Sequence, residues 1–304
     1  MRAPLALLAA LAALAACDAS SLFSRGAREE APPGPAPAAV ERGGLELPDH
    51  PGISGAALGS GGEIYLVAER RPSLLVLGGE DGSAQLSLPL TGLVGEVDLE
   101  SLAILGEGRF ALGTEAKADD RDADAVLLVD REGGSLRVRE TLPLSYAPWG
   151  LKAPSNKGIE GLCAAGGALL AGVEATVEVG GRRIAPLALR APDGGPWIPL
   201  DLALTTTTGK ISALDCQLEG EGLRVYAVER HFGVCRILSF VVPLGAAPRA
   251  VIEPTVLVDL AAAGGELPNF EGLLRRPDGR LWLISDNDYG GASGPAVTWL
   301  VTPP

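Results

Sequence analysis

Acidic residues recur along this chain at spacings that would gather several carboxylates in one place. Five short segments share a form: Ile53-Ser54-Gly55-Ala56, Leu99-Glu100-Ser101-Leu102, Ile159-Glu160-Gly161-Leu162, Ile211-Ser212-Ala213-Leu214 and Phe270-Glu271-Gly272-Leu273. Each opens an apolar run, a Gly-containing turn follows, and a second apolar run ends in an acid: Glu69, Glu115, Glu174, Glu229 or Asp286. These acids lie 15, 15, 14, 17 and 15 residues after Ser54, Glu100, Glu160, Ser212 and Glu271. Carboxylates brought together from several segments make the oxygen-rich surroundings that Ca2+ requires, with backbone carbonyls completing a set of about six to eight ligands. Glu100, Glu160, Glu271 and Asp286 are the expected ligands. A metal held there would attract a phosphate that the acids alone repel, polarise its phosphoryl oxygen and activate a water. Lys157, Arg230 and His231 are the residues expected to hold such an anion. An architectural role stands beside this one: carboxylates at strand starts accept hydrogen bonds from backbone N–H groups of the next segment.

The elements that must position these residues follow from the repeat. A nearly constant offset within a period of 46 to 60 residues is the pattern of a β-propeller. In the second repeat the expected strands are 99–105, 109–114, 124–130 and 135–141, joined by turns carrying Gly106, Gly108, Gly133 and Gly134. The fifth repeat supplies strands over 270–275, 280–285 and 296–302, and then the chain stops. Its outer strand is missing, and Gly44-Leu45-Glu46-Leu47 ahead of the first repeat is placed to supply it beside 297–301. The expected fold is therefore an all-β, five-bladed propeller closed by an N-terminal strand; six blades is the alternative if a long connection hides a divergent blade. In this geometry strand one leaves a rim and strand two returns to it. One rim then collects the opening and terminal acids, Asp288, the loop acids Asp119, Asp120, Asp122 and Asp124, and Arg70, Lys117, Lys157, Arg230, His231 and Trp149.

Other chemistry is absent or weak. His50 and His231 are the only histidines, which rules out a multi-His zinc site. There is no Gly-x-Ser-x-Gly elbow, and Thr208-Gly209-Lys210 lacks the rest of a phosphate loop. Asp120-Arg121-Asp122-Ala123-Asp124 begins like a calcium loop, but Ala125 stands where the turn Gly belongs and Arg131 where a bidentate Glu belongs. A solvated loop is the simpler reading. A net charge of −13 excludes a nucleic-acid partner, which needs a basic face.

The N-terminus carries targeting features. Arg2 precedes an apolar run that ends in Leu14-Ala15-Ala16-Cys17, too short to span a membrane and resembling a bacterial lipobox. Residues 1–16 are read as a lipoprotein signal peptide. Cys17 is the expected lipidated residue, and 17–44 form a Pro/Ala-rich disordered tether. The propeller occupies 45–304. Acyl chains would hold the protein to a membrane and place it in the bacterial cell envelope, outside the cytoplasm. Of the remaining cysteines, Cys163 and Cys216 follow equivalent openings in consecutive repeats and are candidates for a disulfide; buried free thiols are the alternative.

The stretches Asn156-Lys157-Gly158-Ile159-Glu160-Gly161-Leu162, Ile211-Ser212-Ala213-Leu214, Val228-Glu229-Arg230-His231-Phe232-Gly233, Asn269-Phe270-Glu271-Gly272-Leu273 and Leu281-Trp282-Leu283-Ile284-Ser285-Asp286-Asn287-Asp288 resemble the phytase-like propeller family. They run in order through nearly the whole folded part. The resemblance implies an extracytoplasmic propeller with phosphoester hydrolysis as its activity. Ser101 and Ala213 depart from the glycine or acid of the family pattern. Two functions are thus expected as alternatives: a Ca2+-dependent phosphoesterase acting on a small phosphorylated ligand, or a non-catalytic module binding a ligand or an envelope protein. Either is expected to act as a monomer.

Overall fold

The computed structural model describes residues 38–304 apart from 48–49, 80–81, 83–84 and 289–293. The signal segment and Cys17 lie outside the described residues. After an N-terminal strand β1 (Ala39–Leu45), the chain forms antiparallel units in sequence order. Unit one holds β2 (Ile53–Leu58), β3 (Ile64–Ala68), β4 (Arg71–Leu77) and β5 (Gln85–Thr91). Unit two holds β6 (Val97–Gly106), β7 (Arg109–Ala116), β8 (Ala123–Glu132) and β9 (Ser135–Ser145). Unit three is β10 (Gly161–Ala165), β11 (Ala168–Gly172), the short β12 (Val177–Val179), β13 (Arg182–Arg190) and β14 (Ile198–Ala203). Unit four is β15 (Lys210–Glu219), β16 (Gly222–His231), β17 (Val234–Pro243) and β19 (Thr255–Asp259), while the intervening β18 (Val251–Ile252) pairs in parallel with β14. The last unit is β20 (Phe270–Arg275), β21 (Leu281–Ser285) and β22 (Ala296–Thr302), with β1 as its outer strand. The first strands β2, β6, β10, β15 and β20 contact one another in cyclic order, and β20 returns to β2. That is the ring of an all-β propeller.

The apolar residues explain the ring, because they fall into layers between consecutive units and not into one central core. Val67, Leu74 and Leu88 of unit one meet Leu99, Phe110 and Leu127 of unit two. Ala111 and Val126 face Leu162 and Ala171 across the next interface. Leu187 and Leu200 face Leu214 and Phe240 across the third. Val228 and Ile237 meet Phe270 and Leu283, and Trp282 and Ile284 meet Ile53, Leu66 and Leu45. Both faces of a sheet are therefore covered by its neighbours, which is why the strands read as nearly continuous apolar runs.

The closing strand lies earlier than expected. β1 pairs with β22 from Ala39↔Thr302 to Leu45↔Ala296, so residues 39–44, assigned above to the tether, are strand. The segment has no apolar alternation because most of it is exposed. It is held instead by its backbone ladder and by Arg42, which stacks 4.8 Å from the Trp299 ring and donates to the Gly264 carbonyl at 2.8 Å. Gly43 is required here, since a Cβ would come 2.9 Å from Thr298 Oγ1.

Cys163 of β10 and Cys216 of β15 form a disulfide between units three and four. Cys235 is a buried free thiol, which burial pushes up to about 12.

Candidate functional site

The opening residues gain their positions from β-bulges. The ladder slips between Ile53 and Gly55, Leu99 and Ser101, Ile211 and Ala213, and Phe270 and Gly272. Ser54, Glu100, Ser212 and Glu271 are thus the extra residues, and Glu160 stands just before the ladder that begins at Gly161↔Gly172. A bulge re-aims its side chain and interrupts pairing at that point. The glycine that follows permits close approach of the next unit. A Cβ on Gly55 would lie 3.0 Å from Ser101 Cα, on Gly161 2.5 Å from the Leu214 side chain, and on Gly272 2.9 Å from Ala56 Cβ.

Serine hydroxyls then bind three of the units to their successors. Ser54 Oγ donates to the Leu99 carbonyl at 2.5 Å, Ser101 Oγ to that of Ile159 at 2.5 Å, and Ser212 Oγ to that of Phe270 at 2.8 Å. The three accepting carbonyls directly precede Glu100, Glu160 and Glu271. Ser101, which departs from the glycine of the repeat, is one of these ties. At the seam of the ring, Asn287 accepts from Ile53 N and donates to the His50 carbonyl, both at 3.2 Å.

Two of the opening glutamates, Glu100 and Glu160, are not used in this way. Glu100 is 4% exposed and Glu160 6%, yet among the described residues neither carboxylate accepts a hydrogen bond or pairs with a cation. Among the described residues no opening glutamate accepts from a backbone N–H group, as the architectural role would require, whereas the terminal acid Glu229 does. It accepts from the backbone N–H and hydroxyl groups of Thr205 and Thr206.

The remaining acids draw together in two groups that share Glu100. In one, carboxylate oxygens of Glu69, Glu100 and Glu271 all lie within 4.8 Å of one another; in the other, those of Asp98, Glu100 and Glu115 do. Of the four expected ligands, Glu100 and Glu271 enter a group, while Glu160 and Asp286 stand outside both. Asp286 accepts from Asp288 N at 2.7 Å, which fixes one of its oxygens. Crowding of like charge shows in the protonation of these groups. Burial, followed by Glu271, Asp286 and Asp98, raises Glu69 to about 7. Burial also raises Glu115 to about 7, with Arg121 opposing it, and burial with Glu271 raises Glu160 to about 8. Glu100 is raised well above the usual carboxylate range by burial and by Glu160.

Cations stand among the acids as well. Lys157 Nζ lies 3.3 Å from Glu174 Oε2, and Lys210 pairs with the other oxygen of that carboxylate. Arg230 pairs with Glu271 of the next unit, whose same oxygen accepts from Asn269 Nδ2 at 2.7 Å. His231 stands at the end of β16 against Phe232, a side chain 83% exposed. Desolvation and the charges of Lys210, Arg183, Lys157 and Arg230 lower its pKa. Sequence reasoning placed Glu69 and Glu115 on this rim but not among the ligands, and it did not assign Lys210 or Asp98.

Two rim expectations are corrected. Trp149 is buried, donating from Nε1 to Asp201 Oδ1 at 3.0 Å. The acidic loop is partly buried too: Asp124 accepts from Arg121, from Ala116 N and, at 2.5 Å, from the Tyr146 hydroxyl. Its oxygens are occupied. Arg121 in turn donates to the Lys157 carbonyl at 3.0 Å, so this buried pair steadies the loop that carries Lys157.

A family model described as "Esterase-like activity of phytase" matches residues 52–289, which include every carboxylate of the two groups. The chain belongs to the phytase-like family. The family match thus spans the ring from Gly52 to the seam at Asn287. No curated protein matches this phytase-like chain. Among solved structures it is similar to the PQQ-bound aldose sugar dehydrogenase of Streptomyces coelicolor, with 13% identity over 88% of this chain and 100% of that one and a TM-score of 0.46. It is similar as well to regucalcin, a calcium-binding protein of Agrobacterium tumefaciens, with 16% identity over 80% and 71% of the two chains and a TM-score of 0.45. Virginiamycin B lyase of Staphylococcus aureus shares 13% identity over 82% and 68%, with a TM-score of 0.40.

Proposed function

We propose that this phytase-like propeller binds Ca2+ at Glu69, Glu100 and Glu271 and hydrolyses a small phosphate ester at the acidic mouth. The observation that carries the reading is the convergence of three carboxylates from three units, one of them buried with no donor among the described residues. The donor set is all oxygen, with no imidazole or thiolate, and suits a hard cation. When bound, the ion would supply polarisation of a phosphoryl oxygen and a more acidic coordinated water.

The chain's own residues would do the rest. Lys157, Lys210 and Arg230 would receive the phosphoryl oxygens, Arg230 through its planar guanidinium and the lysines as point charges. Glu174 holds both lysines at the mouth until an anion arrives. Glu271, which contacts Arg230, joins the acidic and cationic groups and would keep the ester beside the ion. Cys17, if lipidated, would station the activity in the bacterial envelope.

Hydrolysis of p-nitrophenyl phosphate with Ca2+ and with EDTA tests the reading. Activity is expected only with Ca2+, with loss in Glu271→Gln and a raised KM in Lys210→Met. Activity indifferent to EDTA would reject it. The exposed Phe232 beside His231 favours a second reading, a module that binds a ligand at this mouth without cleaving it. Saturable binding of the ester without turnover would select that alternative.

A further inference from the structure

Two carboxylate groups sharing one residue raise the question of how many ions the mouth holds. The second group is built differently from the first, since Asp98, Glu100 and Glu115 all come from unit two. Asp98 and Glu115 are direct partners across the β6–β7 ladder. Like charges placed directly opposite on adjacent strands are destabilising. Here the bulge at Glu100 creates the opposition. From Leu102↔Leu112 an unbroken register would put Ala116 opposite Asp98; the slip of one residue brings Glu115 there instead.

Resident cations answer this arrangement only in part. Glu115 is 8% exposed and Glu100 4%, and among the described residues neither accepts a hydrogen bond or pairs with a cation. Two unpartnered side chains, each more than nine-tenths buried, therefore point into the group. Arg121 is close in sequence, but its three guanidinium nitrogens are committed to Asp124 and to the carbonyls of Ala118, Pro154 and Lys157. Lys117 Nζ reaches Asp98 at 3.1 Å from a side chain that is more than half exposed. It neutralises one of three acids and remains free to swing into solvent.

We propose that Asp98, Glu100 and Glu115 form a second Ca2+ position, and that Glu100 bridges it to the first, one oxygen to each ion. A carboxylate offers two oxygens and roughly four lone-pair directions, so a single bulge residue can serve both positions. Glu100 is the one acid present in both groups, and its lack of a donor among the described residues leaves both oxygens available. The inference rests on the reading of Glu69, Glu100 and Glu271 as a cation site and extends it from one ion to two.

The test is the number of Ca2+ ions bound per chain, measured by titration calorimetry after EDTA treatment and desalting. Two are expected for the unaltered protein, one for Glu115→Gln, one for Asp98→Asn, one for Glu271→Gln and none for Glu100→Gln at the concentration that saturates the parent. Melting of each variant in EDTA, with a single cooperative transition, establishes that it is folded. One ion in the parent, lost in Glu271→Gln and kept in Glu115→Gln and Asp98→Asn, overturns the second position and leaves the first standing. No ion in the parent overturns both.

Discussion

Glu100 holds its place because it is the unpaired residue of a bulge, where strict inside–outside alternation is relaxed. The same device sets Glu271, and the serines at equivalent positions use it to bridge units. Ser212→Ala should cost about 1 kcal/mol through the lost bond to the Phe270 carbonyl, measured by urea unfolding. The carboxyls make a pH prediction. Glu69 and Glu115 are raised to about 7 and Glu160 to about 8, all above 4.5 in the unfolded chain. The folded protein holds these protons more tightly, so the stability they lend is complete below about pH 4.5 and declines as pH rises through 7 to 8. The melting temperature in EDTA should therefore fall between pH 5 and pH 8.5, and less steeply in Glu160→Gln. A melting temperature that rises across that interval would contradict the assignment. Glu100 and Glu271 were legible in the sequence because acid and small residue recur at one offset. Asp98 was not, because it precedes the expected strand and faces Glu115 only through a register slip. Lys210 was hidden in Thr208-Gly209-Lys210, a fragment that matches no complete motif.

At the level of elements, the inner strands and their hairpins follow the apolar runs closely. The expected 270–275 and 296–302 are the observed β20 and β22. β1 could be located only approximately, since its residues are mostly exposed and it owes its place to backbone pairing and to Arg42 on Trp299. Leu45 is the exception, fully buried in the layer between the last unit and the first. Leu45→Ala should cost about 2–5 kcal/mol, within the range for a buried leucine. Denaturant unfolding checks this, and a loss under about 0.5 kcal/mol, the range of ordinary surface substitutions, would show that β1 does not seal the ring. The loop from Asp119 to Asp124 is solvated at Asp119, Asp120 and Asp122, as its sequence suggests, but not at Arg121 and Asp124. Those two satisfy one another and several backbone groups out of water.

Across the whole molecule, stability is distributed over apolar layers between neighbouring units, and each unit depends on the next. The Cys163–Cys216 bridge spans one such interface and closes a separation of 53 residues. The double variant Cys163→Ser, Cys216→Ser should lose about 4 kcal/mol on the chain-entropy estimate. Cys235, buried and held in its thiol form, should resist thiol reagents until the protein unfolds. The ring also explains why residues up to two hundred positions apart share a mouth: Glu69 and Glu271 are brought together only when the last unit closes on the first. The most direct measurement is the melting temperature at pH 7.5 in EDTA and in excess Ca2+, for the parent and Glu100→Gln. At a hundredfold excess over the dissociation constant, native-state binding adds about 2.7 kcal/mol, or a rise of roughly 4–5 °C for a chain of this size. The parent should show that rise and Glu100→Gln should not; equal midpoints with and without Ca2+ in the parent would contradict the account.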